Sequence, residues 1–133
     1  LNTVTGLSKQ QDWEVHMIEH QVGAYTDCAH GAGLAAISVP YYKYIYKYGT
    51  DKFVRFAKNV WGVNTDGMSK GDAALAGIES LKEFIKSIEL SLSLKELGAT
   101  EEMLPLIAKS TIPGGRYKQM NAEDILTVLK ESF

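Results

Sequence analysis

Apolar residues recur at intervals of three and four along most of this chain, the spacing that places them on one face of an α-helix. The longest such stretch covers residues 72–90. Its apolar positions at helical spacing are Leu75, Ile78, Leu81, Ile85 and Ile88. Residues 51–62 show the same pattern and end at Gly62, a residue that commonly stops a helix. Both stretches predict amphipathic helices packed on a core.

Two further helices are predicted in the first third of the chain, after a polar entry segment at residues 1–10. The first begins with Asp12 as its N-cap and ends near Gly23 or within residues 26–31, where turn-forming residues concentrate. The second begins near His30 and continues until Pro40 disturbs it, because proline removes a backbone donor. The chain is therefore predicted to change direction between these two helices.

The stretch YYKYIYKYG at residues 41–49 has two interpretations. Tyrosines at every second position are typical of a strand, whereas Tyr41, Tyr44, Ile45 and Tyr48 share one helical face. We favour the helix because the neighbouring segments are helical. A base-stacking platform for nucleic acid is a weaker alternative, since the chain lacks the basic excess such surfaces need.

The last third predicts two more helices joined by a loop at residues 111–117. Thr100 is expected to cap the helix within residues 101–110, and Asn121 with Asp124 resembles a capping arrangement that opens the final helix. No segment predicts a secure strand, and no glycine-rich dinucleotide fingerprint is present. The sequence therefore predicts an all-α, multi-helical bundle forming a single domain over residues 1–133.

The composition excludes several classes of protein. The chain has 133 residues, of which 45% are hydrophobic, and its 14 basic and 16 acidic side chains give a net charge of −2. This balance argues against a nucleic-acid or anionic-membrane binder. No membrane span or signal peptide is visible. The single cysteine, Cys28, cannot form an internal disulfide, so a cytoplasmic protein is expected.

All three histidines lie within fifteen positions, at His16, His20 and His30, which suggests a metal or catalytic site. His16 and His20 are four residues apart, about 6 Å along one helical face, so one ion could bridge them. On a straight helix His16 and His30 would be about 21 Å apart. They could share an ion only if the chain folds back between them.

The letters HMIEH also match the H-x-x-E-H pattern of inverted zinc peptidases, in which Glu19 would be the general base. Such enzymes need a further acidic ligand downstream, for which Glu79, Glu83 and Glu89 are candidates. The pattern has only three fixed letters, and it leaves His30 without a role. A non-enzymatic helical interaction module, with the tyrosine-rich stretch as its contact surface, is a third hypothesis.

Residues 13–40, WEVHMIEHQVGAYTDCAHGAGLAAISVP, closely resemble the iron-containing (group III) alcohol dehydrogenases, and the butanol-dehydrogenase-like branch is the most similar. The resemblance continues through KFVRFAKNVWGV, SLKELGATEEMLPLIAKS and MNAEDILTVLKES, so it covers almost the whole chain in order. It implies the helical, dehydroquinate synthase-like C-terminal domain of such an enzyme. The N-terminal nucleotide-binding domain that binds NAD or NADP precedes this region in the family.

The family resemblance also implies roles for the three histidines. The family holds its divalent metal, iron or often zinc, with an Asp and three His. By position, His16 and His30 correspond to two of these ligands, and the Asp and the remaining His would precede Leu1. His20 resembles a family histidine near the nicotinamide that is not a ligand and could relay a proton. Apart from the resemblance, Cys28 is expected to pack in the fold or behind a ligand, and Glu19 to be either a structural carboxylate or one that supports a ligand, rather than a base.

The resemblance implies hydride transfer between a small alcohol or aldehyde and NAD(P), with the metal as Lewis acid. A homodimer is implied in the same way. Because half of the metal ligands and the dinucleotide turn are absent from these residues, we expect the 133-residue chain alone to be catalytically inactive.

Overall fold

The computed structural model describes residues 11–133, so the predicted entry segment at residues 1–10 lies outside the described part. The described residues form six α-helices and one 3₁₀ helix, with no strand. The helices are α1 (Glu14–Thr26), α2 (His30–Ile45), α3 (Thr50–Trp61), α4 (Lys70–Ser87), α5 (Met103–Ser110) and α6 (Ala122–Glu131), and the 3₁₀ helix is Tyr46–Tyr48. The predicted all-α class is confirmed. None of the helices in this part of the chain is long and apolar enough to cross a membrane.

Helix α2 lies at the centre of the bundle. It packs against α1 on one side and against α4 and α6 on others, while α3 pairs with α4 and α5 with α6. Its residues Ala36, Ile37, Tyr41 and Ile45 are at most 1% exposed, so this helix contributes a continuous line of side chains to the core. Burial of such side chains from water is the main force that holds the helices together.

Helix α2 passes through Pro40 and continues to Ile45, so the prediction that Pro40 disturbs it is wrong. Proline costs one backbone hydrogen bond, but Val39 and Tyr41 on either side are buried in the core. Tertiary packing therefore outweighs the local penalty. The helical interpretation of the tyrosine stretch is confirmed up to Ile45, after which Tyr46–Tyr48 tighten into the 3₁₀ turn.

The predicted caps have mixed outcomes. The Asn121 side chain accepts a hydrogen bond from the backbone amide of Asp124, and the backbone amide of Asn121 donates to the Asp124 carboxylate. These two hydrogen bonds confirm the capping box. Gly62 ends α3 with a φ of 65°, as predicted. Thr100 does not cap α5, whose N-cap is Glu102, because a turn intervenes before Met103. The prediction that Asp12 is the N-cap of α1 is also wrong, because that position is occupied by Trp13.

Helices α3 and α4 touch where two small residues face each other. A Cβ atom added to Gly77 would lie 2.7 Å from the Cβ and 2.8 Å from the Cα of Ala57, both of which are too close for carbon atoms. The backbones can approach this closely only because Gly77 has no side chain. The pair therefore sets the separation of α3 and α4.

Gly77→Ala is expected to lower the free energy of unfolding by about 1–3 kcal/mol, because the added methyl forces α3 and α4 apart. Urea unfolding followed by circular dichroism measures the change. Gly71→Ala is the matched control in the same helix, because the nearest atom to its Cβ outside the local backbone, within the described part of the chain, is the Ser69 hydroxyl oxygen at 3.8 Å. Equal stabilities for the two variants would contradict the close contact.

Asp124 connects α6 to the rest of the bundle. Its carboxylate accepts hydrogen bonds from the Tyr44 hydroxyl (2.6 Å), from the Asn121 amide and from the Lys118 ammonium. Burial opposes ionisation, but Lys118, Tyr44 and Asn121 outweigh it and hold the pKa of Asp124 below its ordinary value of 3.8. The stabilisation from this carboxylate is therefore present above pH 4 and is lost as the pH falls through the lowered pKa.

Asp124→Ala is expected to lower the free energy of unfolding by about 1–3 kcal/mol at pH 7, through loss of the cap and of the Tyr44 contact. The difference from the unsubstituted protein should shrink below pH 4, which urea titrations at several pH values measure. Glu123→Ala, one residue earlier and exposed, should cost less than about 1 kcal/mol. A constant difference at all pH values would contradict the lowered pKa.

Candidate metal centre

The turn between α1 and α2 reverses the chain. Helix α1 ends at Thr26, and Asp27 follows in the left-handed conformation with a φ of 56° while its amide donates to the Gly23 carbonyl at 2.8 Å. Helix α2 begins at His30, after Cys28 and the N-cap residue Ala29. The reversal therefore occurs within the stretch where the sequence predicts it.

This reversal brings the three histidine rings into one cluster. The ring centroids of His16 and His30 are 5.6 Å apart, those of His20 and His30 are also 5.6 Å apart, and those of His16 and His20 are 6.5 Å apart. On a straight helix His16 and His30 would be separated by about 21 Å. The fold thus gives His30 access to the face of α1 that carries the other two rings.

The environment of His16 disfavours the protonated form of its imidazole. Burial, together with the proximity of His30 and His20, lowers the pKa of His16, and Glu19 opposes this shift only in part. The Trp13 ring meets the His16 ring edge-on at a centroid distance of 5.2 Å. The Nδ1 atom of His16 is buried and has no hydrogen-bond partner among the described residues. A neutral imidazole with an unused nitrogen is the form that binds a metal.

His30 and His20 lie at the surface, and a buried carboxylate supports one of them. His30 Nδ1 contacts Glu19 Oε2; the Glu19 side chain is 2% exposed, whereas that of His30 is 54% exposed. Glu19, His20 and His30 each offer one metal-ligating atom within 4.8 Å of the others. They are the one group of three or more such residues found in residues 11–133, and His16 and Cys28 do not belong to it.

Asp12 organises the wall beside His16, a role that sequence reasoning missed. Its Oδ1 accepts hydrogen bonds from the Glu14 amide and the Tyr41 hydroxyl, and its Oδ2 accepts from the amides of Arg116 and Tyr117. The predicted loop at residues 111–117 is thereby fixed to the start of α1. Next to it lies a cavity of about 380 Å³, whose lining includes His16 and several aromatic side chains: Trp13, Tyr41, Tyr42, Phe53 and Tyr117.

Glu14 is a second carboxylate at the start of α1. It is 1% exposed, and neither of its oxygens has a hydrogen-bond partner among the described residues. Burial and then the neighbouring Asp12 raise the pKa of Glu14 to about 7. Near neutral pH this carboxyl is therefore protonated in a large fraction of molecules. It faces the loop after α5, since a Cβ atom added to Gly114 would lie 2.7 Å from Glu14 Oε2.

The structure gives no support to the peptidase hypothesis. Glu79 lies 3.4 Å from the ammonium groups of both Lys43 and Lys82, and Glu83 lies 2.8 Å from that of Lys86, so both carboxylates belong to surface ion pairs. Neither these residues nor Glu89 joins the histidines in a metal-binding group within the described part of the chain. The downstream acidic ligand that such a peptidase requires is therefore missing from residues 11–133.

The tyrosine-rich stretch serves mainly for internal packing. Tyr41 is 1% exposed and Tyr42 is partly buried against the core, while Tyr44 is held by Asp124. Within residues 41–49 one large apolar side chain is exposed, that of Tyr48 at 56%. An interaction module that used these tyrosines as its contact surface would need them on the outside.

Known proteins are similar to this chain in sequence and in fold. The model of the Fe-containing alcohol dehydrogenase family, C-terminal region, matches residues 3–133. NADH-dependent butanol dehydrogenase A of Clostridium acetobutylicum is 32% identical over 139 residues, covering 100% of this chain and 36% of that protein. Probable NADH-dependent butanol dehydrogenase 1 of Bacillus subtilis is 30% identical over 136 residues, covering 100% of this chain and 35% of that protein.

A solved structure has a similar fold. That of NADH-dependent butanol dehydrogenase A from Thermotoga maritima has a TM-score of 0.84 at 32% identity, covering 92% of this chain and 33% of that one. The chain thus spans about a third of the length of the relatives it matches. The predicted resemblance is confirmed: the chain belongs to the Fe-containing alcohol dehydrogenase family and corresponds to its helical C-terminal domain.

Proposed function

We propose that this chain is the metal-binding C-terminal domain of an NAD(P)-dependent alcohol dehydrogenase that acts on small alcohols and aldehydes. The observation that carries the proposal is the convergence of His16, His20 and His30 across the α1–α2 turn, in a chain of this family. An N-terminal nucleotide-binding domain of the same protein is its partner and binds most of the dinucleotide. The parent enzyme is proposed to be a homodimer.

The names of the relatives support the substrate class. They include two NADH-dependent butanol dehydrogenases of Clostridium acetobutylicum, the 1,3-propanediol dehydrogenase of Citrobacter freundii and the lactaldehyde reductase of Escherichia coli. Each of these enzymes is named for a short alcohol or aldehyde. The cavity beside His16, whose lining is rich in aromatic side chains, supplies space for a small substrate next to the proposed reaction centre.

His16 and His30 are the proposed protein ligands of a divalent metal, iron or zinc. The residues fit this role because burial and the neighbouring His30 and His20 lower the pKa of His16, whose Nδ1 is buried without a partner among residues 11–133. His30 fits because it is anchored through Nδ1 and so keeps Nε2 available. An Asp and a further His from the N-terminal domain complete the proposed set. When bound, the metal supplies Lewis-acid stabilisation of negative charge on the substrate oxygen.

His20 is the proposed proton relay. In alcohol oxidation a hydride leaves the substrate carbon for the nicotinamide, and the hydroxyl proton must leave separately. His20 lies within 5.6 Å of His30 by ring centroids and is exposed, so it can accept that proton and pass it to solvent. In aldehyde reduction the same ring returns a proton to the substrate oxygen.

The test is NADH and NADPH oxidation with butanal by the full-length protein that contains this chain, after loading with Fe²⁺ or Zn²⁺. We expect metal-dependent turnover that chelation abolishes and metal restores, and no turnover by residues 1–133 alone. Turnover unaffected by exhaustive chelation, or a full-length protein inactive with every alcohol and aldehyde up to six carbons, would contradict the proposal.

A further inference from the structure

The contact between Glu19 and His30 joins a buried carboxylate to an exposed ring. Glu19 is on α1 and His30 is the first residue of α2, so the contact closes the α1–α2 turn. We propose that Glu19 is a positioning residue that fixes the tautomer and orientation of His30 for metal binding. This inference rests on the proposed function, because it assigns a role within the same site.

The chemistry of the two groups determines the tautomer. A carboxylate accepts hydrogen bonds and does not donate them, so the Nδ1 atom that contacts Glu19 carries the hydrogen. A neutral imidazole has only one such hydrogen, so Nε2 keeps its lone pair and becomes the metal-ligating atom. Histidine ligands in metal sites commonly donate their other nitrogen to a carboxylate in this way.

The Glu19 side chain packs closely against glycine positions on both helices. A Cβ atom on Gly33 of α2 would lie 2.9 Å from both Cγ and Oε1 of Glu19, and one on Gly23 would lie 3.5 Å from Oε1. The Sγ atom of Cys28 lies 3.3 Å from the same Gly33 position. Glycine at position 33 therefore provides the space that the carboxylate occupies, which gives a reason for the small residues after His30.

Direct metal binding by Glu19 is the competing role. Glu19, His20 and His30 have ligating atoms within 4.8 Å of one another, so this carboxylate could in principle join a metal. In the structure, however, its Oε2 atom is engaged by His30 Nδ1. Its other oxygen, Oε1, lies inside the fold beside Gly33 and Gly23, 2.9 Å and 3.5 Å from where their Cβ atoms would be, so the carboxylate supports the His30 ring from within the fold.

The tautomer of His30 is the first readout, because it requires no metal. Nitrogen-15 NMR of histidine-labelled, metal-free chain should show the Nδ1–H form for His30 in the unsubstituted protein, and a shift towards the Nε2–H form in Glu19→Ala. Circular dichroism verifies that each variant is folded. An unchanged tautomer in folded Glu19→Ala would overturn the inference while leaving the proposed metal site intact.

Zinc affinity of the full-length protein, measured by chelator competition, is the second readout. Glu19→Ala should weaken zinc binding by about 10–100-fold. Glu19→Gln keeps an oxygen that accepts from Nδ1–H, and its affinity should stay within about tenfold of the original. If Glu19→Gln loses zinc as completely as Glu19→Ala does, Glu19 is a direct ligand and the inference is wrong. If neither His16→Ala nor His30→Ala weakens zinc binding, the proposed function itself fails.

A pair of glycine variants tests the same role without changing the carboxylate. Gly33→Ala places a methyl against Glu19 and should weaken zinc binding by about 10-fold or more, within the range for lost supporting contacts. Gly31→Ala is the matched control in the same helical turn, since among residues 11–133 no atom outside its chain neighbours and its own helix backbone lies within 4 Å of the added Cβ. Equal zinc affinities for the two variants would overturn the proposed positioning.

Discussion

His30→Ala in the full-length protein is expected to abolish stoichiometric metal binding and to lower kcat/KM for alcohol oxidation by about a thousandfold or more. The metal contributes several kcal/mol to the stabilisation of charge on the substrate oxygen, and each 1.36 kcal/mol corresponds to a factor of ten in rate. His16→Ala is expected to have the same effect, because both rings belong to the proposed ligand set. Metal content per chain and steady-state kinetics measure the two losses.

Cys28→Ser is the matched control for these ligand variants. Cys28 lies two residues before His30 and carries a metal-binding atom type, but it is half-buried in the packing and outside the metal-capable group. It should keep its metal and most of its activity. A protein that loses metal on Cys28→Ser and keeps it on His30→Ala would contradict the proposed ligands.

His20→Ala is expected to retain the metal but to lower kcat for alcohol oxidation by about 10²–10⁴-fold, the usual contribution of a general acid–base group. Imidazole added to the solution should restore part of the activity, because it can replace the deleted ring as proton acceptor. The same addition should not rescue His16→Ala. In the plot of kcat against pH, the change in rate that follows ionisation of the His20 ring should disappear. Loss of metal from His20→Ala would instead place His20 among the ligands, with Glu19 and His30.

Local sequence signals predicted most of the helices correctly. Gly62 ends α3 and Asn121 opens α6 because each uses a backbone geometry or hydrogen bond that a few neighbouring residues determine. The prediction at Pro40 is wrong because the local penalty of the proline is offset by the core around α2, which no local pattern reveals.

The candidate site was predicted only in part. Helical spacing made His16 and His20 neighbours, but it could bring His30 to them only if the chain turned, and the family resemblance supplied the reason for that turn. The support for His30 from Glu19 depends on the angle between two helices. Asp12 binds backbone amides of Arg116 and Tyr117, more than a hundred positions away, so its role is visible only in the folded chain.

The most direct test of the central claim is anomalous X-ray scattering at the metal absorption edge from crystals of the metal-loaded, full-length protein. If His16 and His30 are the ligands, one anomalous peak per chain is expected at about 2.0–2.2 Å from one nitrogen of His16 and from Nε2 of His30, with His20 outside bonding distance. A peak bonded to His20 and to the Glu19 carboxylate, with His16 uncoordinated, would contradict this assignment.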